Sequence, residues 1–146
     1  MELFKKIKTD QIEALKAKEE LKNSTLRMIL SVIQNEEIEK RSKGEEIIDE
    51  DIEAILRREA KKRKESIEIY RENSREDLAQ REEDELGIIE EYLPEQMSEE
   101  ELRKIVEEES EGKDNFGQVM GAVMKRASGR ADSSLVTRLV KESIEN

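Results

Sequence analysis

Six bases fall between Lys113 and Lys141 of this 146-residue chain: Lys113, Lys125, Arg126, Arg130, Arg138 and Lys141. Only Asp114 and Asp132 oppose them, so the stretch carries +4 within a chain of net charge −11. Lys125, Arg126 and Arg130 bracket a Ser128–Gly129 turn, and Asp132 or Ser133 opens a helix behind it. A helix N-terminus offers free backbone N–H groups and a positive dipole end to a phosphate. Glycine lets a nucleic-acid backbone come close, because it has no side chain to hold the ligand off. Contacts of this kind position a ligand without reading its sequence. The surrounding stretch, Asn115 to Val136, reads "NFGQVMGAVMKRASGRADSSLV", with Gly117, Gly121 and Gly129 inside thirteen residues. A second reading stays open: the glycines serve tight helix packing, and the bases offset an acidic chain.

Other chemistry has few residues to work with. The chain has no His and no Cys. The commonest metal ligand and general base is missing, and so is all thiol chemistry. "EEDE", Glu82–Glu85, is carboxylate-rich but lacks the turn glycine of a calcium loop, and it reads as a solvated face. No phosphate-binding loop, dinucleotide fingerprint or nucleophile elbow is present. No metal and no cofactor are expected, and an enzyme acting alone is not expected either. A second basic run, "RREAKKRKES" at Arg57–Ser66, is either an RNA contact or a helix face paired with nearby glutamates.

The apolar residues recur at helical spacing, which argues for an all-α chain. A first helix is expected over Leu3–Lys18, with Leu3, Ile7, Ala14 and Leu15 on its stripe. A second spans Glu20–Lys43, burying Leu26, Ile29, Leu30 and Ile33, with Met28 and Val32 at the edge, and stops at Gly44. A third begins at Asp49, with acids in its first turn and Ile48, Ile52, Ile55, Leu56, Ile67 and Tyr70 on its stripe. Asn73 and Ser74 break it. A fourth covers Arg75–Tyr92, with Gly87 inside it as a point of close packing. Pro94, the one proline, disfavours helix at Leu93 and divides the chain into residues 1–93 and 94–146. Behind it, Ser98 and Glu101 form a capping box for a helix burying Leu102, Ile105 and Val106. Asn115 caps a short helix, Phe116–Arg126, with Phe116, Val119, Met120 and Val123 inward. The last helix buries Leu135, Val136, Leu139, Val140 and Ile144.

Charged residues make up 45% of the chain and aromatics 3%, with no Trp, so the core must be Ile, Leu, Val and Met. An isoelectric point near 4.8 argues against a uniformly basic nucleic-acid binder, though not against a local patch. No apolar run approaches the roughly 18 residues of a membrane span. The N-terminus has no apolar signal region, so a cytoplasmic protein is the plain expectation. The Lys and Glu excess resembles that of hyperthermophile proteins. A melting midpoint below about 60 °C, ordinary for a mesophile domain, would count against that reading.

Two marks resemble a known family: "EYLPEQMSEEEL" at Glu91–Leu102 and "FGQVMGAVMKRASGRADSSLV" at Phe116–Val136. "RMILSVIQNEEIEK" at Arg27–Lys40 fits as well. The chain resembles the YqeY-like family, which is similar to the C-terminal tail of the B subunit of the Asp/Glu-tRNA amidotransferase (GatB). The resemblance implies a four-helix N-terminal part followed by a three-helix module. It implies tRNA holding near the elbow by that module, with the glutamine-dependent carbon–nitrogen ligase chemistry in other domains and subunits. The matching motif residues are Gly117, Gly121, Met124, Gly129, Arg130, Ala131, Asp132 and Leu135. Lys125 stands where the family often has proline, and Ser133 where it often has glycine.

Two functions follow as expectations. One is a non-catalytic tRNA-binding module whose contacts are Lys113, Lys125, Arg126, Arg130 and Arg138. The other is an accessory subunit docking on a protein partner in an amidotransferase or another translation complex.

Overall fold

A computed structural model describes residues 2–127 and 130–145, and among these the chain forms seven helices and no strand. They are α1 (Glu2–Lys16), α2 (Glu20–Ser42), α3 (Asp49–Glu72), α4 (Glu76–Glu90), α5 (Glu99–Ser110), α6 (Phe116–Ala127) and α7 (Ser133–Glu145). The all-helical reading of the apolar spacing therefore holds.

Caps fix several starts. The Ser98 hydroxyl accepts the Glu101 N–H at 3.1 Å to open α5. Asn115 Oδ1 accepts the Gln118 N–H at 3.0 Å to open α6. Asp132 Oδ1 accepts the Ser134 N–H at 3.2 Å at the head of α7. On the first turn of α3, Asp51 accepts the Ile48 N–H at 2.9 Å and meets Lys40 at 3.0 Å. Those two bonds, the backbone one foremost, hold its carboxyl below the usual range.

Three helices end in one motif. At the end of α2 the Glu45 N–H reaches the Lys40 carbonyl at 2.9 Å and the Gly44 N–H reaches Arg41 at 3.0 Å, with Gly44 at φ +77°. This paired pattern around a left-handed residue satisfies carbonyls that the last turn leaves open. The ends of α1 and α3 repeat it with side-chain-bearing residues in the left-handed position. Lys18 sits there at φ +60° and Ser74 at φ +58°. Their following amides close the same way, Glu19 on Ala14 at 3.0 Å and Arg75 on Tyr70 at 2.8 Å.

Residues 1–93 and 94–146 form two compact units. The first holds α1 to α4 around Ile7, Leu26, Ile29, Ile33, Ile52, Ile55, Leu56 and Ile89. Tyr92 is buried beside them; its hydroxyl donates to Asp10 Oδ2 at 2.6 Å, and Lys6 Nζ lies 5.7 Å from the ring centre. Burial first and the Asp10 bond second raise the Tyr92 phenol above its ordinary pKa. The second unit holds α5 to α7 around Leu102, Val106, Val119, Val123, Val136 and Val140.

Some expected positions differ. Leu15 is 57% exposed, because Ile7 and Ala14 define the inner face of α1 and the next residue is turned about 100° away. Ile48 is exposed and its neighbour Ile47 buried, since the chain is extended at this N-cap and successive side chains point to opposite sides. Phe116 is 39% exposed although its spacing puts it on the Val119–Val123–Ala127 stripe, because it is the first residue of α6 and has no preceding turn to cover it. Gly87 is not a packing point: a Cβ built there meets nothing within 4 Å.

Candidate nucleic-acid interface

The second unit carries the site residues, and its helices decide which of them meet. Lys113, just past α5, lies 3.5 Å from Glu109. Arg126, at the end of α6, reaches Glu108 at 2.8 Å and Glu109 at 3.2 Å. The Glu108 bond above all raises the Arg126 pKa; desolvation opposes it, and the Glu109 bond adds to the rise. Lys113 and Arg126 thus share Glu109 and belong to one neighbourhood. Lys125 precedes Arg126 and is exposed.

Arg138 is elsewhere. It pairs with Glu99 at the start of α5 and with Glu142 at 3.9 Å. Arg103 joins the same two carboxylates at 3.6 and 3.4 Å, so the four side chains lace α5 to α7. Glu99 and Glu108 are nine residues apart on α5, about 13 Å at the rise of an α-helix. Arg138 and Arg126 therefore mark different ends of that helix.

Arg130 has a third role. It is half-buried; its Nε donates to the Glu95 carbonyl at 2.8 Å, and its own carbonyl accepts the Met97 N–H at 2.7 Å. The sequence window had hidden these partners, because they lie on α5, α7 and residues 95–97 rather than between Lys113 and Lys141. Over residues 94–146 there are twelve acids and eight bases, a net −4. Of the N-terminal amides of α7, offered to a phosphate by the sequence, that of Ser134 already donates to the Asp132 carboxylate.

The glycines were the open question. Gly121 lies on the outer face of α6, opposite the buried Val119 and Val123, and a Cβ there meets nothing within 4 Å. At Gly117 a Cβ meets only the capping Asn115 Oδ1, at 3.3 Å. Neither glycine admits a neighbouring helix, so the packing reading fails for both. Gly117, Gly121 and Lys125 fall four apart on one exposed line, which is a single helix face. Gly129 and the Ser128–Gly129 turn lie outside the described residues. Of the other motif positions, Met124, Ala131 and Leu135 pack against the core of this unit.

The other candidates disperse. In the basic run, Arg57 pairs with Glu53 at 3.8 Å, Arg58 with Glu36 at 3.6 Å and Lys62 with Glu59 at 3.3 Å. Arg63 turns inward instead, 2.6 Å from Glu59, with Glu85 at 3.5 Å. In the "EEDE" run, Glu83 goes to Arg71 at 2.9 Å and Asp84 to Gln80 at 3.0 Å, away from Glu85. Among the described residues no group of three or more carboxylates is placed to hold a metal ion, and no helix is long and apolar enough to cross a membrane.

An all-helical chain whose C-terminal unit bears a bare-backboned, base-flanked helix is the class that fold and site define. Residues 4–144 match the family described as Yqey-like protein, and the chain belongs to that family. It is 42% identical over 88 residues to "Altered inheritance of mitochondria protein 41, mitochondrial" of Vanderwaltozyma polyspora, covering 60% of this chain and 46% of that protein. It is 35% identical over 126 residues to the protein of the same name in Kluyveromyces lactis, covering 80% and 66%. The chain thus spans about half to two thirds of the length of these curated relatives.

Proposed function

We propose that the C-terminal unit, residues 94–146, is a non-catalytic tRNA-binding domain, and that residues 1–93 form a separate helical domain. The observation that carries this is the outer line of α6: Gly117 and Gly121 leave its backbone uncovered, no neighbouring helix needs the space, and only the Asn115 cap comes near Gly117. A phosphodiester backbone can approach such a helix to van der Waals distance. Lys125 stands one turn beyond Gly121 on that line, with Lys113 and Arg126 beside it and Arg130 past the end of the helix. Arg138 we assign to the lattice that joins α5 to α7. Contacts to phosphate alone leave the choice of tRNA open. The similarity to the amidotransferase tail points the same way, and the cytoplasmic and thermophilic readings go with it. Interlaced pairs such as Glu99–Arg103–Arg138–Glu142 suit high temperature better than isolated ones do.

The test is binding of total tRNA across a salt series, with Gly121→Glu as the variant. Nothing clashes at that position, and Glu is the better helix former, so the fold survives. About three phosphate contacts give a slope of log affinity on log salt near −2 to −3, or roughly thirtyfold weaker binding at 200 mM than at 50 mM. Gly121→Glu should lose most of the low-salt affinity while keeping full helix content. Unchanged binding by that variant would move the interface off α6. No binding at low salt would end the RNA reading.

A second reading, docking on a protein of a translation complex, has its own observation. Ile12 and Leu15 stand 41% and 57% exposed, one turn apart on α1. A partner held there would bind with little dependence on salt, and Leu15→Asp would release it.

A further inference from the structure

We propose that Arg130 is a switch, coupling phosphate capture by its guanidinium to the release of a strap formed by Glu95, Gln96 and Met97. The inference rests on the RNA reading above and says how that site is regulated. Two backbone-directed bonds of opposite sense hold the strap: Arg130 Nε to the Glu95 carbonyl at 2.8 Å, and the Met97 N–H to the Arg130 carbonyl at 2.7 Å. The Met97 side chain packs against the core of the same unit. The strap begins directly after Pro94, at the boundary of the first unit.

What singles out Arg130 is the acceptor it uses. Lys113 is bound to one carboxylate and Arg126 and Arg138 to two each, so at all three a phosphate competes with charged acceptors. Arg130 Nε holds a neutral carbonyl. A phosphate brings a full negative charge and can accept two parallel N–H bonds from the guanidinium, where the Glu95 carbonyl brings no net charge and accepts one. Phosphate therefore exchanges favourably at Arg130. As the guanidinium swings to it, the Glu95 carbonyl loses its donor. The strap is then left on one backbone bond and the Met97 contact. A freed strap lengthens the connection that follows Pro94, each residue adding up to about 3.5 Å of reach.

The test is amide hydrogen exchange on the full chain, read residue by residue by NMR, at Met97 and at the core amides of Leu102 and Val119. In the free protein, Arg130→Gln should speed exchange at Met97 about tenfold, as loss of one charge-assisted bond implies, with Leu102 and Val119 unmoved. Arg130→Lys keeps the charge without the forked geometry and should do the same. Unchanged exchange at Met97 in both variants overturns the strap. In the wild-type protein, saturation with total tRNA at low salt should speed Met97 exchange as the variants do. Salt-sensitive binding that leaves Met97 protected overturns the coupling while the RNA reading stands. Absence of binding overturns the RNA reading and the coupling with it, and the strap is then judged by the variants alone.

Discussion

Glu59 and Arg63 show how one side chain can leave the role its neighbours suggest. Glu59 is 6% exposed, and its carboxylate meets Arg63 at 2.6 Å and Lys62 at 3.3 Å. Arg63 keeps Glu85 at ionic distance, yet its Nε finds no hydrogen-bond acceptor. A buried pair of this kind costs little when both partners are replaced and much when one is. Glu59→Gln is expected to destabilise the first unit by about 3 kcal/mol, read by urea denaturation. Glu59→Leu with Arg63→Met should recover most of it. A double variant no better than the single would show that the pair contributes net stability. In the sequence Arg63 is one of six bases within eight residues, and its charge masks its phase. It stands four residues before Ile67 and seven after Leu56, on the buried stripe of α3, and that spacing was the available signal.

At the scale of the element, helix starts were more legible than helix ends. Ser98, Asn115 and Asp132 carry capping oxygens, and a side-chain oxygen is visible in a sequence. The end of α2 was legible because Gly44 marks it. The ends of α1 and α3 adopt the same turn with Lys18 and Ser74, and nothing in those residue types announces a left-handed backbone. Each bears a Cβ in a conformation that costs an L-residue about 1–2 kcal/mol. Lys18→Gly and Ser74→Gly are therefore expected to raise stability, by about 0.5–1 kcal/mol apiece after the added entropy of the unfolded chain is subtracted. Thermal melts of the single and double variants check this, and lowered midpoints would mean that the lysine and serine side chains contribute more than the strain they cause. The glycines of α6 had two readings in the sequence, because Val119 and Val123 set the inward face of the helix without telling whether a neighbour covers the opposite one.

For the whole molecule, the two cores share no residue, and calorimetry should resolve two transitions. Tyr92→Phe removes the hydrogen bond to Asp10, which spans 82 positions of chain and closes α1 against the end of α4. It should lower the transition of the first unit by about 1.5 kcal/mol at neutral pH and leave the other unmoved. Because the folded phenol is raised above its ordinary value, the wild-type advantage is fully present below pH about 10. It is lost as pH rises toward the folded value, so the two proteins should converge in alkali. A difference that persists or grows there would mean that packing of the ring, rather than its hydroxyl, is what Tyr92 supplies. That α4 ends before Pro94 was open to sequence reasoning, since proline restricts its predecessor. The partners of the basic residues were not, because helix-to-helix pairing brings Glu99, Glu108 and Glu109 to a window that excludes them in sequence.

The position of Tyr92 has an optical consequence. The chain has no tryptophan, and its two tyrosines, Tyr70 and Tyr92, both belong to the first unit. The second unit, with Phe116 as its one aromatic residue, is dark above about 290 nm. Tyrosine emission therefore watches one half of the molecule while the other does the proposed binding. A ligand that engages α6 and leaves that emission unchanged has bound without disturbing the surroundings of Tyr70 and Tyr92.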